Sequence, residues 1–131
     1  MNKSDFAAQV ANEIMPEGHA ARLLAFHRNP PGRGVSAERR ALAAWLDALS
    51  DEDRARIEYL IADAQEAALF GLLVLLDHGT RYRDGEEIGE LRLDYHDRDG
   101  TVTHLNEPRG EDLHDLFKWA LRDRGAGPAP S

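Results

Sequence analysis

SDEDRARIEYLIADAQEAALFGLLVLLDHG, residues 50–79, is the stretch on which the fold turns. Ser50 can cap a helix, and Asp53 stands three residues behind it in a variant of the capping box. Asp51, Glu52 and Asp53 sit where the helix dipole favours negative charge. Gly79 supplies the stop. No proline lies between them, and Gly71, at about 1 kcal/mol relative to alanine, marks at most a kink or a close approach, so the spacing predicts a helix from Asp51 to Asp77, about 40 Å long at 1.5 Å per residue. Its first half is amphipathic through Ile57, Leu60, Ile61 and Ala64, whereas residues 67–76 (AALFGLLVLL) are apolar on every side. A helix apolar all round belongs at the centre of a fold or in an oligomer interface. The expectation is therefore a long central buried helix, with a homodimer through residues 67–76 as the other use of the same surface. The uninterrupted apolar run is about half of what a bilayer span requires, so no membrane is expected.

Upstream, Ser4 reads as the cap of a first helix whose buried face is Phe6, Ala7, Val10, Ala11 and Ile14, with Pro16 ending it. A second helix is expected over 18–28, with Ala20, Leu23, Leu24 and His27 facing inward. Residues 29–34 (NPPGRG) form a loop, because two prolines remove backbone donors and the glycines cost entropy in a helix. Ser36 caps a third helix with the stripe Leu42, Trp45, Leu46 and Leu49.

Downstream, Leu91, Leu93 and Tyr95 alternate with Glu90, Arg92, Asp94 and His96, the period-two pattern of a half-buried strand. Asp97-Arg98-Asp99-Gly100 reads as a hairpin turn, and 101–105 as the returning strand. A short additional strand over 80–83 is also compatible with the sequence. A last helix over 110–123 turns Leu113, Leu116, Phe117, Ala120 and Leu121 inward. The fold class is α+β and mostly helical: four helices, one β-hairpin and a closing helix. One domain is expected over 1–124, with a disordered tail at 125–131, GAGPAPS, which has nothing to bury.

The chain has 131 residues and a formal charge of −8. Between Asp84 and Asp115 there are eleven acidic side chains against three arginines, a local charge that equals the whole. Such a one-signed region suits a basic protein partner and repels nucleic acid. The basic cluster Arg28, Arg33, Arg39 and Arg40 around the 29–34 loop is too small to reverse this. With no cysteine there are no disulfides, thiolate metal sites or cysteine nucleophiles. Residues 1–5 lack the basic start and apolar run of a secretory signal, so a cytoplasmic location is expected. No cofactor motif is present: the glycines at 32 and 34 follow no strand and lack the lysine of a phosphate loop.

Two groupings invite chemistry. Asp94 and His96 share a strand face, and His104 lies on the partner strand. If the turn runs through Arg98-Asp99-Gly100 with a bulge, Asp94 faces His104 and a three-ligand metal set is conceivable, the basis for a metal-dependent hydrolase. If the loop is only Arg98-Asp99, Leu93 faces His104 instead and the set dissolves. The neighbours Asp77-His78 and His114-Asp115 look like acid-base pairs, but adjacent helical residues point about 100° apart and do not bond each other. No residue is assigned a catalytic role.

The segments FGLLVLLD (70–77), LNEP (105–108) and LHDLF (113–117) resemble small acidic bacterial proteins, some of them akin to immunity proteins of toxin systems. The resemblance covers roughly the last half of the chain. It implies a protein that neutralises a toxin by binding it, and an acidic surface would suit a basic nuclease toxin. The contact residues expected on that reading are Asp84, Glu86, Glu87, Glu90, Asp94, Tyr95, Asp97 and Asp99, with Tyr95 or Trp119 as an aromatic anchor. A structural or regulatory homo-oligomer is the remaining alternative.

Overall fold

The computed structural model describes residues 1–125. Its helices are α1 (Lys3–Ile14), α2 (His19–Arg28), α3 (Ala37–Ala48), α4 (Asp51–Asp77) and α5 (Leu113–Gly125). Its strands are β1 (Thr80–Arg83), β2 (Glu86–Glu90), β3 (Asp94–His96) and β4 (Val102–His104), forming two antiparallel hairpins, β1–β2 and β3–β4. The tail expected from residue 125 lies outside the described residues except for Gly125, which closes α5.

The described residues gather into two compact units, residues 1–14 with 67–125 and residues 15–66. In the first unit, α1 and α5 pack together, and the core is Ala7, Ala11, Leu73, Leu105, Leu113, Leu116 and Phe117. These are the inner faces that periodicity marks on both helices, although Ile14 is exposed. The cap of α1 is Asn2 rather than Ser4: the Asp5 amide donates to Asn2 Oδ1 at 2.8 Å, and the Asn2 amide donates to Asp5 Oδ2 at 3.2 Å. This reciprocal pair satisfies two donors at once, which a lone hydroxyl cannot do. The Lys3 ammonium donates to the carbonyls of Glu107, Arg109 (2.8 Å) and Glu111 (3.2 Å), fastening the loop before α5 to the start of α1.

In the second unit, Ser36 caps α3 through the Arg39 amide at 3.2 Å, and Ser50 caps α4 through the Asp53 amide at 3.1 Å, both as the sequence predicts. The α3–α4 corner is closed by Arg54. Its guanidinium donates to the carbonyls of Leu46 (3.1 Å), Asp47 (3.3 Å) and Leu49 (2.5 Å) at the end of α3, where Leu46 also accepts the Leu49 amide at 3.3 Å. Among the apolar side chains of this unit only Met15, Ala20, Leu24 and Leu46 are buried; Leu23, Leu42, Trp45 and Leu60 are exposed.

The long helix exists over the predicted residues, but it is not a buried central element. Partial burial recurs at 54, 57–58, 61–62, 65–66, 69–70, 73–74 and 76–77, a single stripe at helical period, and Leu73 alone is fully covered. Leu72 and Leu75, within the all-apolar run, are exposed. The reason is geometric: a rod of 27 residues offers more circumference than the other elements of a 131-residue chain can wrap. By length and composition alone α4 is long and apolar enough to cross a membrane. Yet Asp63 and Glu66 interrupt its middle, and Leu73 and the Asp77 side chain are packed within the first unit.

Candidate functional site: an exposed acidic hairpin beside a polar cleft

The short strand that the sequence allows over 80–83 is present as β1, and β2 pairs with it in a hairpin. Asp84 and Gly85 both take positive φ, 51° and 81°, forming a two-residue turn whose twist suits the flanking strands. The register pairs Thr80 with Glu90, Arg81 with Gly89, Tyr82 with Glu87 and Arg83 with Glu86. Ile88 is thus the extra residue of a bulge, re-aimed outward and 56% exposed. Paired residues share a face, so Thr80, Tyr82, Glu87 and Glu90 lie on one side while Arg81, Arg83 and Glu86 lie on the other. This sorting separates most of the acid from the arginines. Every residue of both strands is exposed, including Tyr82 at 65%.

Beneath the hairpin, Asn106 is a buried hub. Its Nδ2 donates to the carbonyls of Leu76 and Leu91, both at 2.8 Å, and its Oδ1 accepts from the Leu93 amide at 2.7 Å. It closes the end of α4 and pins residues 91–93, which is why that segment leaves strand geometry and β3 begins only at Asp94. Gly79 passes so close that a Cβ there would lie 2.6 Å from the Leu91 carbonyl, and the Leu91 amide bonds the Gly79 carbonyl at 2.7 Å. Between this floor and the hairpin opens a cleft of about 270 Å³, its polar walls including His78, Tyr82, Glu90 and His104.

The second hairpin turns as the bulged alternative requires. The Asp97 amide donates to the Thr101 carbonyl at 2.8 Å, the Gly100 amide to the Asp97 carbonyl at 3.1 Å, and Gly100 has φ 91°. Asp94 accordingly faces His104. The Asp94 carboxylate, however, is held by Arg92 Nε at 2.9 and 3.0 Å, an ion pair that raises the guanidinium above its ordinary range. Asp94, His96 and His104 do not bring their ligand atoms within metal-binding reach of one another. Among the described residues the group that does so is Asp112, His114 and Asp115.

The expected contact residues therefore divide. Asp84, Glu86, Glu87 and Glu90 line the first hairpin, and Asp97 and Asp99 the tip of the second; all six are exposed. Asp94 and Tyr95 are half-buried, and Asp94 is already occupied by Arg92. At the tip, the Asp99 carboxylate accepts the Thr101 amide at 2.9 Å, and this bond, with the Thr101 hydroxyl second, lowers its pKa. Trp119 is partly exposed beside a groove formed with Ser4 and Ala8, away from the acidic hairpins. Tyr82 and Ile88 are the exposed apolar groups on the strands of the first hairpin. The Asp84-Gly85 turn signal was the clue to them, obscured because its flanks are charged rather than alternating with apolar residues.

The residues that look like acid-base neighbours in sequence exchange partners in space. Asp77, whose side chain is 2% exposed, pairs with His114: its Oδ2 accepts from the imidazole Nδ1 at 2.7 Å. The same carboxylate accepts the Leu113 and His114 amides at 2.9 and 3.0 Å, capping α5 from another element. No family model, curated protein or solved structure matches the chain.

Proposed function

We propose that this chain is a protein-binding module, best read as an immunity-type inhibitor, that engages a basic partner such as a nuclease toxin through the acidic hairpins of its first unit. The observation that carries the reading is the β1–β2 hairpin, exposed at every position while presenting Tyr82 and Ile88 among carboxylates. A two-stranded hairpin is marginal by itself and gains stability from an interface. Exposed aromatic and aliphatic side chains ringed by charge match the composition of a binding hot spot, and the surrounding acid steers a basic partner towards it. The cleft alongside, with Glu90 and Tyr82 in its wall, suits a lysine or arginine side chain.

A tagged chain should retain a basic protein partner at low salt and release it as salt rises. With that partner purified, charge reversal at the exposed Glu87, Glu90 and Asp97 should abolish binding, and Tyr82→Ala should weaken it about tenfold or more. Unchanged affinity after the triple reversal would show the surface assignment to be wrong. A second reading, a homodimer through residues 67–76, is favoured by the exposure of Leu72 and Leu75. Sedimentation would then show a dimer that Leu72→Glu splits.

A further inference from the structure

We infer that the start of α5 is a binding site for a divalent transition-metal ion, held by His114 Nε2 and the carboxylates of Asp112 and Asp115. The inference is independent of the hairpin reading. The ligand atoms of these three residues lie within 4.8 Å of one another, and ordinary metal–nitrogen and metal–oxygen bonds of about 2.0–2.2 Å need only modest side-chain rotation to close on a common centre.

The imidazole is oriented for this task by groups outside the cluster. Asp77, buried and contributed by α4, takes the Nδ1 proton at 2.7 Å, which leaves Nε2 to face outward. The ring edge packs against Phe70, with centroids 5.1 Å apart and planes at 80°, so the imidazole has little freedom to turn away. A buried carboxylate on the distal nitrogen is the arrangement that fixes the tautomer and raises the basicity of a metal-bound histidine. Nε2 points towards Asp115 Oδ1 at 3.7 Å, too long for a hydrogen bond. Nε2 and the Asp115 carboxylate thus converge on one space that a metal ion would fill.

The capping arrangement makes the same point. Asp112 precedes the first helical residue, where an aspartate ordinarily bonds the helix amides, yet the Leu113 and His114 amides go to Asp77. The positive end of the α5 dipole disfavours a cation, but the negative charge of Asp77, Asp112 and Asp115 offsets it. One imidazole with two carboxylates suits zinc and neighbouring first-row ions rather than calcium, and three protein ligands leave a coordination position for water or a further ligand.

Titration of the full chain with zinc, and with cobalt to give a visible spectrum, tests the site. The expected result is one equivalent bound, with a shift of the His114 Nε2 resonance. Asp112→Asn combined with Asp115→Asn should weaken binding at least tenfold while leaving circular dichroism unchanged and lowering the metal-free melting temperature by only a few degrees, the loss of two charges from the helix N-terminus. Asp77→Asn should weaken it about 10–100-fold through the ring's orientation. Variants His96→Ala and His104→Ala should bind as the parent does. The site is overturned if no stoichiometric metal is taken up, if the double asparagine variant binds undiminished, or if the loss follows His96 or His104. A zinc-insensitive His114 resonance would likewise overturn it.

Discussion

The two units of this protein are held together in different ways. Residues 1–14 and 67–125 close around fully buried Phe117, Leu113 and Leu73, and bind their helix ends through buried polar side chains, Asp77 on α5 and Asn106 on α4. Residues 15–66 bury few large side chains and leave Trp45, Tyr59 and Leu60 exposed, relying on local caps and the Arg54 clamp. Long-range burial makes one unit; local hydrogen bonding makes most of the other. The difference teaches that apolar content alone does not create a core. α4 supplies apolar residues to both units, and what is buried depends on how much chain is available to cover them.

The comparison can be broken most forcefully at Phe117. Phe117→Ala should cost about 3–5 kcal/mol, whereas Leu46→Ala in the second unit should cost about 2 kcal/mol, both read from thermal or denaturant unfolding. Equal losses would mean that the second unit has a core as consequential as the first. Next in size, Asp77→Ala strands two amides and the His114 ring, an expected loss of about 2–3 kcal/mol with release of the His114 imidazole in NMR spectra.

Arg54→Ala addresses the local clamp. It should cost about 1–2 kcal/mol and speed hydrogen exchange around residues 46–54, with amides of α5 unaffected. Accelerated exchange in α5 as well would show that the two units unfold as one.

The smallest effect concerns acid. Asp99 has a lowered pKa because the Thr101 backbone amide, then its hydroxyl, bonds the charged form. A lowered value in the folded state means that the support is present above the ordinary aspartate range and is lost as pH falls through the lowered value. The Thr101 amide resonance should therefore titrate with a midpoint below that of an unfolded aspartate, about 3.9. A midpoint at or above that figure would remove the bond from the description of the hairpin tip.

Helix extents proved legible because their signals are local. Ser36 and Ser50 cap where they should, α4 runs over the predicted residues, and the inner face of α5 is Leu113, Leu116 and Phe117 as periodicity requires. The first hairpin was harder to read, because its strands bury nothing and so lack the apolar alternation by which strands are recognised. Ser4 gave way to Asn2 as cap because an asparagine and an aspartate three apart can satisfy each other. The burial of α4 could not be read from composition, since an apolar side chain shows that burial is favourable and says nothing about whether a partner exists.

Among the candidate sites, the acidic hairpins were visible as charge, but the anchor Tyr82 and the cluster at α5 were not. By itself the sequence determined the helices, the serine caps of α3 and α4, the place of the second hairpin and the net acidity, all set by residues within a few positions of one another, while the register of that hairpin waited on the structure. Only the tertiary structure decided that Asp77 meets His114 rather than His78, that Asn106 closes α4, and that one stripe of the long helix is covered. Those pairings span 30 to 37 residues, and contacts at such separation depend on how the intervening elements pack, which no local pattern encodes.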